Sequence, residues 1–173
     1  MTESEFDRFF AKYHKDLFRL LYQLVGNAAD AEELTQEAFV RFHLHKLELL
    51  PKSRKPWLFR VAVRLGYDQL RHRSRQKRLN EQHKQQGSLS NPKGGVEVPS
   101  ERAFAVRQVL SMLPEKQVSL LSFHTAGLSH KEMADALELN ESSVSQLLWR
   151  AKKAFRESYD TAQSSSFSVQ NRK

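Results

Sequence analysis

The sequence predicts an all-α fold, organised as two small helical domains joined by a flexible linker. Three observations predict it. Apolar residues recur at three- and four-residue spacing along most of the chain, no segment reads as a strand, and one stretch past the middle has no apolar period at all. At 173 residues the chain suits one ordinary domain or two small ones.

The first helix carries Phe6, Phe9, Phe10, Tyr13, Leu17, Leu20, Leu21 and Leu24 on one face. Thr2 and Glu5 form a capping box at its start. Gly26-Asn27 breaks the pattern, and Asn27 caps a second helix running from about Ala28 towards Lys46. Ala31, Leu34, Ala38 and Phe42 form its apolar side, and Asp30, Glu32, Glu33 and Glu37 crowd its first turns, where the helix dipole favours acids. Leu50 to Pro56 is a loop, and Pro56 suits the first turn of a third helix. Trp57, Leu58, Val61, Ala62 and Leu65 point inward from that helix, and Gly66 is a weak point in it. Trp57 reads as core rather than as a wedge for opening a duplex.

A neighbouring stripe of the third helix holds Arg60, Arg64, Tyr67, Arg71, Arg75 and Arg78, a cationic ridge with one aromatic in it. Between Arg54 and Arg78 stand nine basic residues and one acid, Asp68, so the whole net charge of +8 lies in this segment. A concentrated patch implies a polyanionic partner; the plainer alternative is a solubilising helix face. Arginine forks suit phosphate, and an aromatic can stack on an unpaired base.

Residues 79–100 read as the flexible linker, rich in Gly, Ser, Asn and Pro. They separate a first domain over 1–78 from a second over 101–160, with 161–173 a disordered Ser/Gln-rich tail. In the second domain Ala103, Val106, Val109, Leu110 and Leu113 mark one helix, and Pro114 opens the next, with Val118, Leu120, Leu121 and Phe123. Gly127 ends that helix as a left-handed cap. Ser129 to Glu132 is a second capping box, followed by Met133, Ala134 and Leu137. Glu138-Leu139-Asn140 then separates it from a last helix with Val144, Leu148, Ala151 and Phe155 inward: a helix-turn-helix pattern, which serves either DNA or packing alone.

Other function classes are poorly supported. No stretch approaches the roughly 18 apolar residues of a membrane span. The acidic start Met1 to Glu5 is neither signal nor transit peptide, and the chain has no cysteine, which fits a reducing cytosol. His43 and His45 point to different sides of a helix, and His130 to Met133 lacks a second histidine for zinc. No catalytic set, metal site or cofactor motif is found, so the chain is expected not to be an enzyme.

Three segments then resemble one family. Asp30-Ala31-Glu32-Glu33-Leu34-Thr35-Gln36-Glu37-Ala38-Phe39 looks like the region 2 core-binding motif of the extracytoplasmic-function (ECF) sigma factors of the sigma-70 family. Lys55 to Ala62, continuing to Asp68-Gln69-Leu70-Arg71, looks like their promoter-melting and minus-ten segment. Leu113 to Gln117 and Gly127 to Ala134 look like region 4, which reads the minus-thirty-five element. The resemblance covers about Phe6 to Glu157.

It implies a bacterial, cytoplasmic factor that binds core RNA polymerase through the clamp of its largest subunit and the flap, directs it to promoter DNA and helps open the duplex. It also implies an anti-sigma partner. Asp30, Glu33, Gln36 and Glu37 would bind polymerase, the alternative being a solvated acidic face. Arg54, Lys55, Arg60, Arg64, Tyr67, Arg71 and Arg75 would hold the minus-ten strand, and the loop from Lys46 to Lys55, with Leu47, Leu49 and Leu50 in it, would take up an unstacked base. Ser142, Ser143, Gln146, Arg150 and Lys153 would read the minus-thirty-five duplex from the outward side of the last helix, which also carries Ser145 and Trp149. Two competitors remain: an autonomous helix-turn-helix regulator of palindromic DNA, and an RNA-processing or nuclease enzyme.

Overall fold

A computed structural model describes residues 1–83 and 100–170; most of the expected linker, 84–99, and the last three residues lie outside the described residues. The order is α1 (Glu3–Val25), α2 (Ala28–His45), a 3-10 turn (Pro51–Ser53), α3 (Arg54–His83), α4 (Glu101–Met112), α5 (Glu115–Thr125), α6 (His130–Leu137) and α7 (Glu141–Gln170), with no strand among the described residues. The all-α expectation holds, with α1–α3 forming one helical domain and α4–α7 the other.

Local chemistry sets the helix starts. Both expected capping boxes form: the Glu5 backbone N–H donates to Thr2 Oγ1 at 3.2 Å while Glu5 Oε2 accepts from the Thr2 N–H at 2.8 Å. Ser129 and Glu132 repeat this at α6. Asn27 caps α2, and Ser100 caps α4. Gly26 ends α1 at φ 73°, a left-handed conformation that glycine adopts without strain. The helix α3 runs straight through Gly66, where a Cβ would meet the Leu24 side chain of α1 at 2.5 Å; the missing Cβ lets the two helices approach.

Two helices run past their expected ends. The α3 helix continues to His83 rather than 78, and α7 to Gln170 rather than 160. Neither extension contains Gly or Pro, so nothing local stops the helix.

Leu17, Leu21, Phe42, Leu58 and Phe59 fill the core of the first domain, and Val118, Phe123, Met133 and Val144 that of the second. Trp57 is half-buried beside Phe42 and His45, with ring centroids 6.1 and 5.5 Å away, in keeping with the core reading. The two cores meet. One continuous cluster joins Leu17, Phe59 and Val63 to Leu120, Phe123 and Met133. A second joins Leu24, Tyr67 and Leu70 to Val109, Leu110, Leu113 and Val118. The helix α3 thus lies between α1 and α2 on one side and α4, α5 and α6 on the other. The expected two helical domains are present, and among the described residues they are docked against each other.

Candidate nucleic-acid interface

The basic ridge follows from the geometry of α3. Its buried side is set by Leu58, Ala62, Val63 and Leu70, and positions on the far side face water. Arg64, Arg71 and Arg75 are exposed there, as the spacing requires. The side chain of Arg78 lies outside the described residues.

The N-terminal part of the ridge is different. Arg54, Lys55 and Arg60 are half-buried. Lys55 Nζ donates to Glu132 Oε1 on α6 at 2.6 Å, and Arg60 Nη1 donates to Glu138 Oε1 at 2.7 Å. Burial alone would raise the Glu132 carboxyl, but the Lys55 ammonium and the Ser129 N–H and hydroxyl outweigh it and hold its pKa below the usual carboxylate value.

Tyr67 corrects the sequence reading. It was expected on the exposed stripe, ready to stack on a base, yet it is 4% exposed. Position 67 lies four residues after Val63 and three before Leu70, both buried, so the same turn of helix carries its ring inward. Its hydroxyl donates to the Leu113 carbonyl at 2.8 Å. That carbonyl ends α4 beside Pro114, where no helical N–H is available to it. Arg71 keeps contact with the ring, its guanidinium 5.7 Å from the centroid.

On α2, Glu33 and Gln36 are exposed, while Glu37 accepts from Arg41 Nε at 2.7 Å. Asp30 departs from the expected shared face: it is half-buried and paired with Arg73 of α3, which also donates to the Val25 carbonyl at 2.8 Å. Burial lowers the Arg73 pKa, with nearby Arg107 adding repulsion. Past Glu37 the exposed surface turns apolar at Val40, Leu44, Leu47 and Leu50. Leu47 and Leu50 stood out in the sequence; the exposure of Val40 and Leu44 did not, although both follow Gln36 at successive four-residue steps.

The helix-turn-helix is formed by α6, a turn at Glu138–Asn140, and α7. Glu138 caps α6 at φ 54°, unusual for a residue with a side chain. Val144, Leu148 and Ala151 anchor α7, leaving Ser142, Gln146, Arg150 and Lys153 exposed. Ser143 is half-buried and its hydroxyl donates to the Asn140 carbonyl at 2.7 Å, so it serves the turn in this arrangement. Trp149, 62% exposed, lies on the same face one turn from Gln146, with Lys153 Nζ 5.6 Å from its ring. This face can present amide, aromatic and cationic groups to a major groove. Among the described residues no helix is long and apolar enough to cross a membrane.

Comparison with known proteins agrees with this arrangement. The Sigma-70 region 2 family model matches residues 9–76, and the Sigma-70 region 4 model matches 103–155. The ECF RNA polymerase sigma factor SigM of Bacillus subtilis is 24% identical over 158 residues, covering 89% of this chain and 94% of SigM. SigJ of Mycobacterium tuberculosis is 29% identical over 161 residues, 89% of this chain and 50% of SigJ. A solved structure of the sigma factor RpoE from Bartonella quintana, in complex with the anti-sigma factor NepR, shares the fold at a TM-score of 0.58, with 19% identity over 90% of this chain and 97% of that one.

The chain belongs to the sigma-70 family, among its ECF members. It is a promoter-specific RNA polymerase sigma factor: the α1–α3 domain is region 2 and the α4–α7 domain is region 4.

Proposed function

We propose the following division of labour within the sigma factor. Exposed Glu33 and Gln36 of α2, with half-buried Glu37 beside them, dock on the clamp of the largest polymerase subunit, while region 4 engages the flap. Asp30 supports that face from its pairing with Arg73. The ridge of α3, from Arg54 and Lys55 through Arg60, Arg64, Arg71 and Arg75, holds the melted minus-ten strand. Ser142, Gln146, Arg150 and Lys153 of α7 read the minus-thirty-five duplex, with Ser143 holding the turn. An anti-sigma protein is the third partner, by analogy with the complex in which RpoE was solved. The factor works in the bacterial cytoplasm.

The observation that carries this reading is the row of Arg64, Arg71 and Arg75, exposed together on one side of α3. Three like charges at helical spacing repel one another and gain most when phosphates lie between them. The test is run-off transcription and open-complex formation with purified core polymerase. Replacing the three arginines by alanine should weaken open-complex formation and lower the salt slope of DNA binding by about 2. An unchanged yield and slope would remove the ridge from the mechanism. Polymerase fixes the separation of two weak DNA contacts, which raises their effective concentration, so the free factor should bind promoter DNA poorly.

A further inference from the structure

A groove of about 570 Å³ lies between α1 of region 2 and α4, α5 and α7 of region 4. That volume falls within the roughly 300–1,000 Å³ of small-molecule sites. Its walls are the side chains of Leu20, Leu24, Val106, Leu110, Leu121 and Phe155. Close-packed interiors leave few voids of that size, so the space suits a guest.

One exception in a helical stripe gives the groove its charge. Ala103, Val106, Arg107 and Leu110 share a face of α4, and three of the four are apolar. The Arg107 side chain crosses the C-terminal end of α1 over Gly26, where any Cβ would run into its guanidinium. Gly26 thus ends α1 and leaves room for the cation. Arg107 is half-buried, and its Nε is buried with no hydrogen-bond partner among the described residues. Burial pushes its pKa down, with the Tyr22 phenol opposing. Neighbouring Arg73 is already engaged by Asp30 and the Val25 carbonyl. Exposed Arg102 adds a second positive charge at the groove, and among the described residues no aspartate or glutamate lines it. A partly desolvated cation without an anion costs stability, which a bound anion would offset.

We propose that this groove binds a small amphiphile, an aliphatic carboxylate whose tail lies along the apolar walls and whose head meets the guanidinium of Arg107. The inference is independent of the roles proposed for α2, α3 and α7 in binding polymerase and DNA. The planar guanidinium fork matches a carboxylate at two points, and the tail gains from leaving water. A neutral head would leave Arg107 without an anion, and a cationic head would set like charges together. Because the walls come from both regions, the bound molecule ties α1 to α4, α5 and α7.

The test uses the full chain, with decanoate as the probe below the concentration at which it self-associates. Calorimetric titration should show saturable binding, and decanol and decyltrimethylammonium should bind about tenfold more weakly or worse. R107Q should lower decanoate affinity about tenfold and leave decanol unchanged, and R107K should recover part of the loss. V106W, which fills the groove, should weaken decanoate and decanol together. The head-group series needs no variant, so it decides the matter even where R107Q does not fold. The chain has no cysteine, so cysteines in place of exposed Lys15 and Arg156 carry an energy-transfer pair, one label on each region. With decanoate the transfer should persist to a higher urea concentration, as binding across both regions requires. No saturable binding, equal affinity for the three head groups, affinity indifferent to R107Q and V106W, or a urea midpoint unmoved by decanoate would each overturn the site.

Discussion

The two surfaces proposed to face DNA in this sigma factor are built on helices of the same length, yet they stand in different states. On α7 the face from Ser142 through Gln146 and Trp149 to Lys153 is open to solvent, backed by Val144, Leu148 and Ala151. On α3 the corresponding face is divided: its C-terminal part is open at Arg71 and Arg75, and its N-terminal part is held by Glu132 and Glu138. A duplex offers a preformed groove, so a rigid exposed helix can serve it at any time. A melted strand exists only after polymerase has engaged, so a strand site can remain covered until then. The difference between α7 and α3 follows that order of events.

That comparison can be broken most forcefully at the shared core. Phe123 of region 4 is fully buried in the cluster that also contains Phe59 of region 2. Phe123→Ala should cost about 3–5 kcal/mol of stability, read by thermal unfolding followed separately with probes in each region. Coincident destabilisation of both regions supports docking; loss confined to region 4 contradicts it.

Gln146→Ala addresses the open surface. It should cost about 1–3 kcal/mol of discrimination at one base pair of the minus-thirty-five duplex, measured by competition among promoter variants, and leave the others alone. A uniform loss across all positions would recast Gln146 as a backbone contact.

Tyr67→Phe removes one hydrogen bond and strands the Leu113 carbonyl. The junction should weaken by about 1 kcal/mol, visible as lower energy transfer between the domains, while the ring still fills its place in the core. No change would mean that water replaces the hydroxyl at no cost.

Acid gives the smallest effect, and its sign is fixed. The Glu132 carboxyl has a pKa below its ordinary value of 4.5, so it stabilises the folded form above 4.5 and the contribution is lost as pH falls through the lower folded value. His124, which lies 2.8 Å from Lys152 Nζ, is pushed below 6.5 by burial, Lys152 and His130. The unfolded chain takes up that proton first, so region 4 loses stability as pH falls from 6.5 through the folded value. E132Q should flatten the first dependence and K152A reduce the second in acid unfolding curves.

What the sequence revealed and what it hid divide along a physical line. Helices, caps and the helix-turn-helix depend on neighbours in the chain, and Thr2 with Glu5 and Ser129 with Glu132 announce themselves at a spacing of three. The exposed part of the ridge was equally plain, since Arg64, Arg71 and Arg75 need only the period of a helix. The docking of the regions was not legible. Lys55 meets an acid 77 positions away, Arg60 one 78 away, and Tyr67 a backbone carbonyl that no side chain marks. Tyr67 was misplaced for the same reason: at the edge between two stripes, its side is decided by what packs against the helix. Asp30 likewise owes its inward pairing to Arg73 of another helix, which the acidic pattern of α2 gave no sign of.

This sigma factor should be closed when alone and open on polymerase. Energy transfer between labels at positions 15 and 156, measured before and after adding core polymerase, tests that directly. High transfer in the free chain and a large fall on adding polymerase are the predicted result. Low transfer in the free chain, or the same high transfer in the complex, would contradict it.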